Sequence, residues 1–146
     1  KMSEGMEDIT FNEKTLRYIS LFEKTTGTKV KDCIDIPEKV IFLVEKGNIE
    51  KAIGKGGKNV TKVSNKIDRN VHVIEYSDDP KQLLKNIFYS YGVKDITLEE
   101  KNDIKHGTVE VKPENKARAI GKKGRNLSIA RKIMMRHSDI SSVSIA

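Results

Sequence analysis

The apolar residues of this chain alternate between helical and strand spacing. From Glu13 to Thr26, Leu16, Ile19 and Phe22 form one helical stripe, with Tyr18 and Leu21 beside it, and the run stops at Gly27. Val30 to Ile36 reads as a strand, Pro37-Glu38 as a turn and Lys39 to Glu45 as a second strand. The run Val40-Ile41-Phe42-Leu43-Val44 is apolar on both faces, as a central strand requires. A short helix is predicted from Asn48 to Ile53, then a turn at Gly54-Lys55-Gly56-Gly57. A longer helix follows to Ile67, with Val60, Val63 and Ile67 inward. Val71 to Tyr76 closes the series as a third strand.

The same order then recurs. Pro80 to Tyr91 reads as a helix with Pro at its start and Leu83, Leu84, Ile87, Phe88 and Tyr91 on one face. Val93 to Glu99 and Gly107 to Val111 are predicted strands, and Pro113 to Ile120 a short helix. Gly121-Lys122-Lys123-Gly124 is the turn. A long helix to Arg136 places Leu127, Ala130 and Met134 inward, and Asp139 to Ile145 is the last strand.

The two halves align directly. Val44 to Val60 and Val111 to Leu127 superimpose at an offset of 67 with no gap, and eight of 17 positions are identical. Chance gives about one identity over such a stretch. The chain therefore holds a duplicated unit. Its length of 146 residues suits two small domains of roughly 70. The expected boundaries are 9–77 and 80–146, with the break at Ser77-Asp78-Asp79 and a polar lead, 1–8, without fixed structure.

Charge gives the repeat a chemistry. The net charge of +7 is modest. However, Lys51 to Lys66 holds five Lys and no acid, and Asn115 to Arg136 holds eight Lys or Arg and no acid. These segments carry +13 and the remainder −6. A single basic run can be no more than a solvated helix face. Two in equivalent places point to an anion-binding surface.

A lone G-x-x-G carries little information, since a Gly-capped helix end produces it readily. Here it recurs in phase, joins two helices, holds Lys and opens a basic helix. Glycine lets a nucleic-acid backbone approach closely because no Cβ intervenes. The helix that follows points N–H groups and its positive dipole end at the same spot. Lys55 and Lys122-Lys123 add charge beside the phosphates.

The elements AIGKGGKNV and AIGKKGRNL resemble the signature of KH domains, whose GxxG clamps hold about four nucleotides of single strand. A helix–strand–strand block before the GxxG and one strand after it resemble the type II order. A chain with two such units is similar to the archaeal form of the NusA transcription factors. The resemblance covers about Asp8 to Ala146. It implies an α+β fold of two tandem type II KH domains, each helix-strand-strand-helix-GxxG-helix-strand. Each would have a mixed three-stranded sheet with helices packed on one face. It implies single-stranded RNA, the nascent transcript, as ligand and a role in termination or antitermination. RNA polymerase and other transcription factors are further candidate partners. Bacterial members, though, carry a polymerase-binding domain and an OB-type barrel that do not fit in 146 residues. A monomer is expected.

The resemblance also implies roles. Gly54, Lys55, Gly56, Gly57 and Gly121, Lys122, Lys123, Gly124 would clamp the sugar-phosphate backbone. Ile53 and Ile120 would floor a base groove, unless they are core residues. Lys58, Asn59, Arg125 and Asn126 lie in the first turn of the second helix. Lys51, Lys116 and Arg118 line the helix before it, and Arg131 lies further along the second copy's long helix. All eight aromatics fall outside the two basic segments, so no stacking platform is expected.

Rival readings lack their residues. A phosphate-binding loop needs G-x-x-x-x-G-K-[ST], but Asn59 stands five residues after Gly54. The acids are dispersed and no His lies beside Cys33, so no enzyme is expected. One Cys excludes a disulfide framework or Cys-built zinc site, and no metal or cofactor is expected. Cys33 reads as a small buried hydrophobe. A ribosome-associated KH protein binding rRNA is the nearest alternative, but its relatives usually carry one KH unit and longer basic tails. No helix-turn-helix pair supplies a duplex groove reader. No apolar run nears the ~20 residues that span a bilayer, and the start lacks a signal peptide's apolar core, so a cytoplasmic location is expected.

Overall fold

In a computed structural model, the structure describes residues 12–146, so the polar lead and the predicted domain start at residue 9 lie outside the described residues. The chain divides into two compact units, one running to Tyr76 and the other from Ser77 to Ala146.

The first unit contains α1 (Glu13–Thr26), β1 (Val30–Ile36), β2 (Lys39–Val44), α2 (Ile49–Ile53), α3 (Lys58–Ile67) and β3 (Val71–Glu75). Asn12 caps α1 by accepting from the Thr15 N–H at 2.8 Å, and Gly27, at φ 71°, ends it. The sheet has the order β1-β2-β3, with β1 antiparallel and β3 parallel to β2. Val40 to Val44 of the central strand are all at most 1% exposed, on both sheet faces. On the helix side, Phe42 stacks on Phe22 with ring centroids 4.2 Å apart, and Cys33, Val40, Val44, Ala52 and Val63 complete the core. Fully burying a large apolar side chain of this kind contributes about 1.5–3 kcal/mol.

The second unit repeats the plan with α4 (Pro80–Ile87), β4 (Val93–Lys101), β5 (Ile104–Val111), α5 (Lys116–Ile120), α6 (Arg125–His137) and β6 (Ile140–Ile145). Its order, β4-β5-β6, has the same mixed directions. The duplication extends upstream of the aligned stretch. Val30-Lys31-Asp32 and Val93-Lys94-Asp95 open β1 and β4, and each strand has a register shift between its Val and its Asp. Here the offset is 63, not 67. The difference of four residues lies in the hairpin, because β4 and β5 have nine and eight residues where β1 and β2 have seven and six.

That longer hairpin corrects the predicted start of β5 at Gly107. Asn102 and Asp103, at φ 54° and 66°, form a two-residue turn between the pair Lys101 and Ile104. Both central residues are left-handed, as a type I′ hairpin needs. Four other expectations are also revised. Leu16 is 48% exposed, because the buried line of α1 runs through Thr15, Phe22 and Thr26 with Tyr18 and Ile19 packed beside it. The predicted helix to Tyr91 breaks after Ile87 into a 3-10 turn, Tyr89–Tyr91, closed by left-handed Gly92, and Pro113–Asn115 is likewise a 3-10 turn. In α6, Ile129 and Ile133 join Ala130 and Met134 in the core, while Leu127 is only half-buried.

The two sheets differ on the face away from the helices. β5 alternates, with Gly107, Val109 and Val111 buried and His106, Thr108 and Glu110 on the other side. His106 sits between two hydroxyls there, with Nδ1 2.7 Å from Ser142 Oγ and Nε2 2.8 Å from Ser144 Oγ. In the first unit, the pKa of His72 on β3 is pushed down to about 4 by burial and by the charge of Lys39. This folded value lies below the unfolded value of ~6.5, so the unfolded chain binds the proton first. Stability is full above pH 6.5 and falls as the pH drops toward 4. Going from pH 7 to 4.5 should cost about 2 kcal/mol more in the wild type than in His72→Gln, as measured by denaturant unfolding at the two pH values.

Candidate nucleic-acid interface

Each half builds the same turn. Gly54 has φ 80° and ψ 162°, and Gly121 has φ 85° and ψ 162°. A Cβ at either position would lie 2.8 Å from a backbone nitrogen, that of Asn59 or Asn126. Both positions are thus restricted to Gly by conformation and by space. The next three residues, Lys55–Gly57 and Lys122–Gly124, form a single 3-10 turn. It is closed by Gly57 N–H to Gly54 O at 3.0 Å and by Gly124 N–H to Gly121 O at 2.9 Å.

The turns are braced alike. The Asn59 amide donates to the Lys51 carbonyl at 2.9 Å, and the Asn126 amide donates to the Arg118 carbonyl at 3.0 Å. This bond ties the start of the basic helix to the end of the short one. It gives the two asparagines a positioning task that their spacing did not reveal.

The outer surface of each turn is open. A Cβ at Gly56, Gly57 or Gly124 would meet nothing within 4 Å. Helices α3 and α6 start at Gly57 and Gly124 without any side-chain cap. Lys55, Lys58, Lys122, Lys123 and Arg125 are exposed around these helix starts, and Lys51, Lys116 and Arg118 are exposed on the preceding helices. Ile53 is 37% exposed and Ile120 half-buried, so neither is fully spent on the core. Arg131 stands apart from the turn, about two helical turns along α6, where its guanidinium donates to the Val143 carbonyl at 3.4 Å.

One turn carries strain. Lys123 occupies the position of Gly56, at φ 57° and ψ 27° against 64° and 21°. A left-handed non-glycine residue costs about 1–2 kcal/mol. Lys123→Gly should therefore raise the unfolding free energy by about 0.5–1 kcal/mol, after glycine's larger chain entropy is subtracted. Denaturant unfolding measures this, and unchanged or lowered stability would mean that the turn is unstrained.

The structure also adds two residues to the second site. Tyr91, 35 residues from Asn126 in sequence, accepts from the Asn126 amide at 2.9 Å through its hydroxyl. The Arg118 guanidinium lies over its ring at 5.6 Å. Asn115 donates to the Tyr91 carbonyl at 3.0 Å and accepts from Arg118 at 2.6 Å. Asn115 had a signal in its identity with Asn48 across the repeat. Tyr91 had none, since only folding brings it to the basic segment. Among the described residues, no group of three or more His, Cys, Asp or Glu gathers as for a metal ion, and no helix is long and apolar enough to cross a membrane.

Comparison with known proteins agrees with this geometry. Residues 16–78 match the KH domain family, and residues 80–146 match the NusA-like second KH domain. A probable transcription termination protein NusA of Methanococcus vannielii is 36% identical over 137 residues, covering 94% of this chain and 79% of that protein. Its counterpart in Methanocaldococcus jannaschii is 31% identical over 140 residues, covering 96% and 76%. The crystal structure of APE1850 superimposes with a TM-score of 0.73 at 34% identity, covering 90% of this chain and 96% of that one. Two KH domains in tandem, matched along nearly the whole length, make this chain a member of the NusA family.

Proposed function

We propose that the two turns clamp the sugar-phosphate backbone of single-stranded RNA, and that the chain acts on a nascent transcript in transcription termination or antitermination. The observation that carries this reading is one open, lysine-bearing glycine turn built twice with matching dihedrals and the same Asn brace. Phosphates would meet Lys55, Lys122 and Lys123 and the uncapped starts of α3 and α6. Lys51, Lys58, Lys116, Arg118 and Arg125 would add charge on either side. The partly exposed Ile53 and Ile120 would floor the base groove, and Arg131 would reach a more distant phosphate. The role needs no catalysis and would be filled in the cytoplasm by a monomer. RNA polymerase or another transcription factor would be reached alongside the transcript.

Salt dependence tests the reading. Each phosphate contact to a single strand contributes about −0.7 to the slope of log affinity against log salt, so four or more contacts give about −3 or steeper. Fluorescence anisotropy with a labelled 12-nucleotide RNA measures it. A slope near zero would reduce the basic segments to solvated faces.

A further inference from the structure

We propose that a groove beside the second turn, with Tyr89 as its aromatic wall, takes a flanking nucleotide of the bound RNA by base stacking. The inference rests on the RNA reading above and extends the site beyond the clamp.

Tyr89 is 83% exposed. The core does not require it, because Leu84, Ile87 and Phe88 form the buried face of this segment. The 3-10 turn Tyr89–Tyr91 leaves Tyr89 outward while Tyr91 turns in toward Asn126. Tyr89 borders a groove of about 720 Å³ together with Lys85, Asn86, Gly92, Lys112 and Asn115. That volume lies within the ~300–1,000 Å³ range of sites for small organic groups. Two ammonium groups and no carboxylate line the groove, which suits a phosphate-bearing ligand. An aromatic face accepts any base, so the exposed Tyr89 ring can hold the nucleotide by stacking.

The groove is tied to the second turn through Asn115. Asn115 forms part of its lining and is bonded to Arg118, whose carbonyl receives the turn-bracing amide of Asn126. A strand leaving the second turn past Arg118 would meet Tyr89 next. The stacking ring therefore need not lie inside the basic segment Asn115 to Arg136, because folding brings Tyr89 to the second site from upstream of it.

The chain has no Trp, so Tyr89→Trp places a single indole reporter in the groove. A 12-nucleotide RNA is titrated while its own label reports binding by anisotropy. The indole should be quenched in step with binding. Tyr89→Ala should weaken binding about 5- to 100-fold, Tyr89→Phe should bind like the wild type, and the salt slope should be the same in all three. If the RNA binds the wild type but the indole is unmoved and Tyr89→Ala binds equally well, the groove proposal is overturned and the clamp reading stands. If the RNA does not bind the wild type, both are overturned.

Discussion

Gly54→Ala and Gly121→Ala are each expected to destabilise their unit by about 3 kcal/mol and to abolish its RNA clamp. Two costs combine. The backbone at φ 80–85° and ψ 162° is a region that essentially only glycine occupies, at about 1–3 kcal/mol for other residues. The new Cβ would also lie 2.8 Å from the backbone nitrogen of Asn59 or Asn126, and that atom cannot move without shifting the first turn of the basic helix. Gly57→Ala is the control. It is also left-handed, at φ 77°, but its Cβ would meet open space, so only about 1 kcal/mol should be lost. Denaturant unfolding of the three variants measures the difference. Equal losses at Gly54 and Gly57 would mean that the close approach to Asn59 is unimportant.

Charge reversal at the turns should affect binding and spare the fold. Lys55 and Gly56 in the first turn, and Lys122 and Lys123 in the second, are all exposed. Asp tolerates the left-handed conformation better than most residues, which suits it to positions 56 and 123. Replacing the first pair with Asp should weaken RNA binding about 10-fold, and replacing the second should weaken it several-fold more. The second turn loses two lysines where the first loses one, and its basic segment holds eight cationic residues against five. Anisotropy titration at fixed salt checks the order, and equal losses would contradict it.

Much of this was legible in the sequence because the repeat made weak local signals reinforce each other. The span of α1 followed from its apolar spacing and from Gly27, and the central position of β2 followed from an unbroken apolar run. The hairpin extension was not legible. Glu99 to Asp103 is polar and exposed, and its turn uses Asn-Asp where Asn-Gly would have signalled a hairpin. Ile129 and Ile133 were missed because their counterparts in the first copy are Lys62 and Lys66, which are exposed. The glycines of the turns could be named from spacing, but not their separate tasks. Gly54 and Gly121 make room for backbone, whereas Gly57 and Gly124 leave the surface open. The part played by Tyr91 depends on a contact across 35 residues and had no local signal.

The most direct test of the central claim is RNA affinity in the variant that carries all four turn substitutions, Lys55→Asp, Gly56→Asp, Lys122→Asp and Lys123→Asp. The expected result is a loss of at least ~100-fold in binding a 12-nucleotide RNA while cooperative unfolding is retained. Affinity unchanged from the wild type in that folded variant would contradict it.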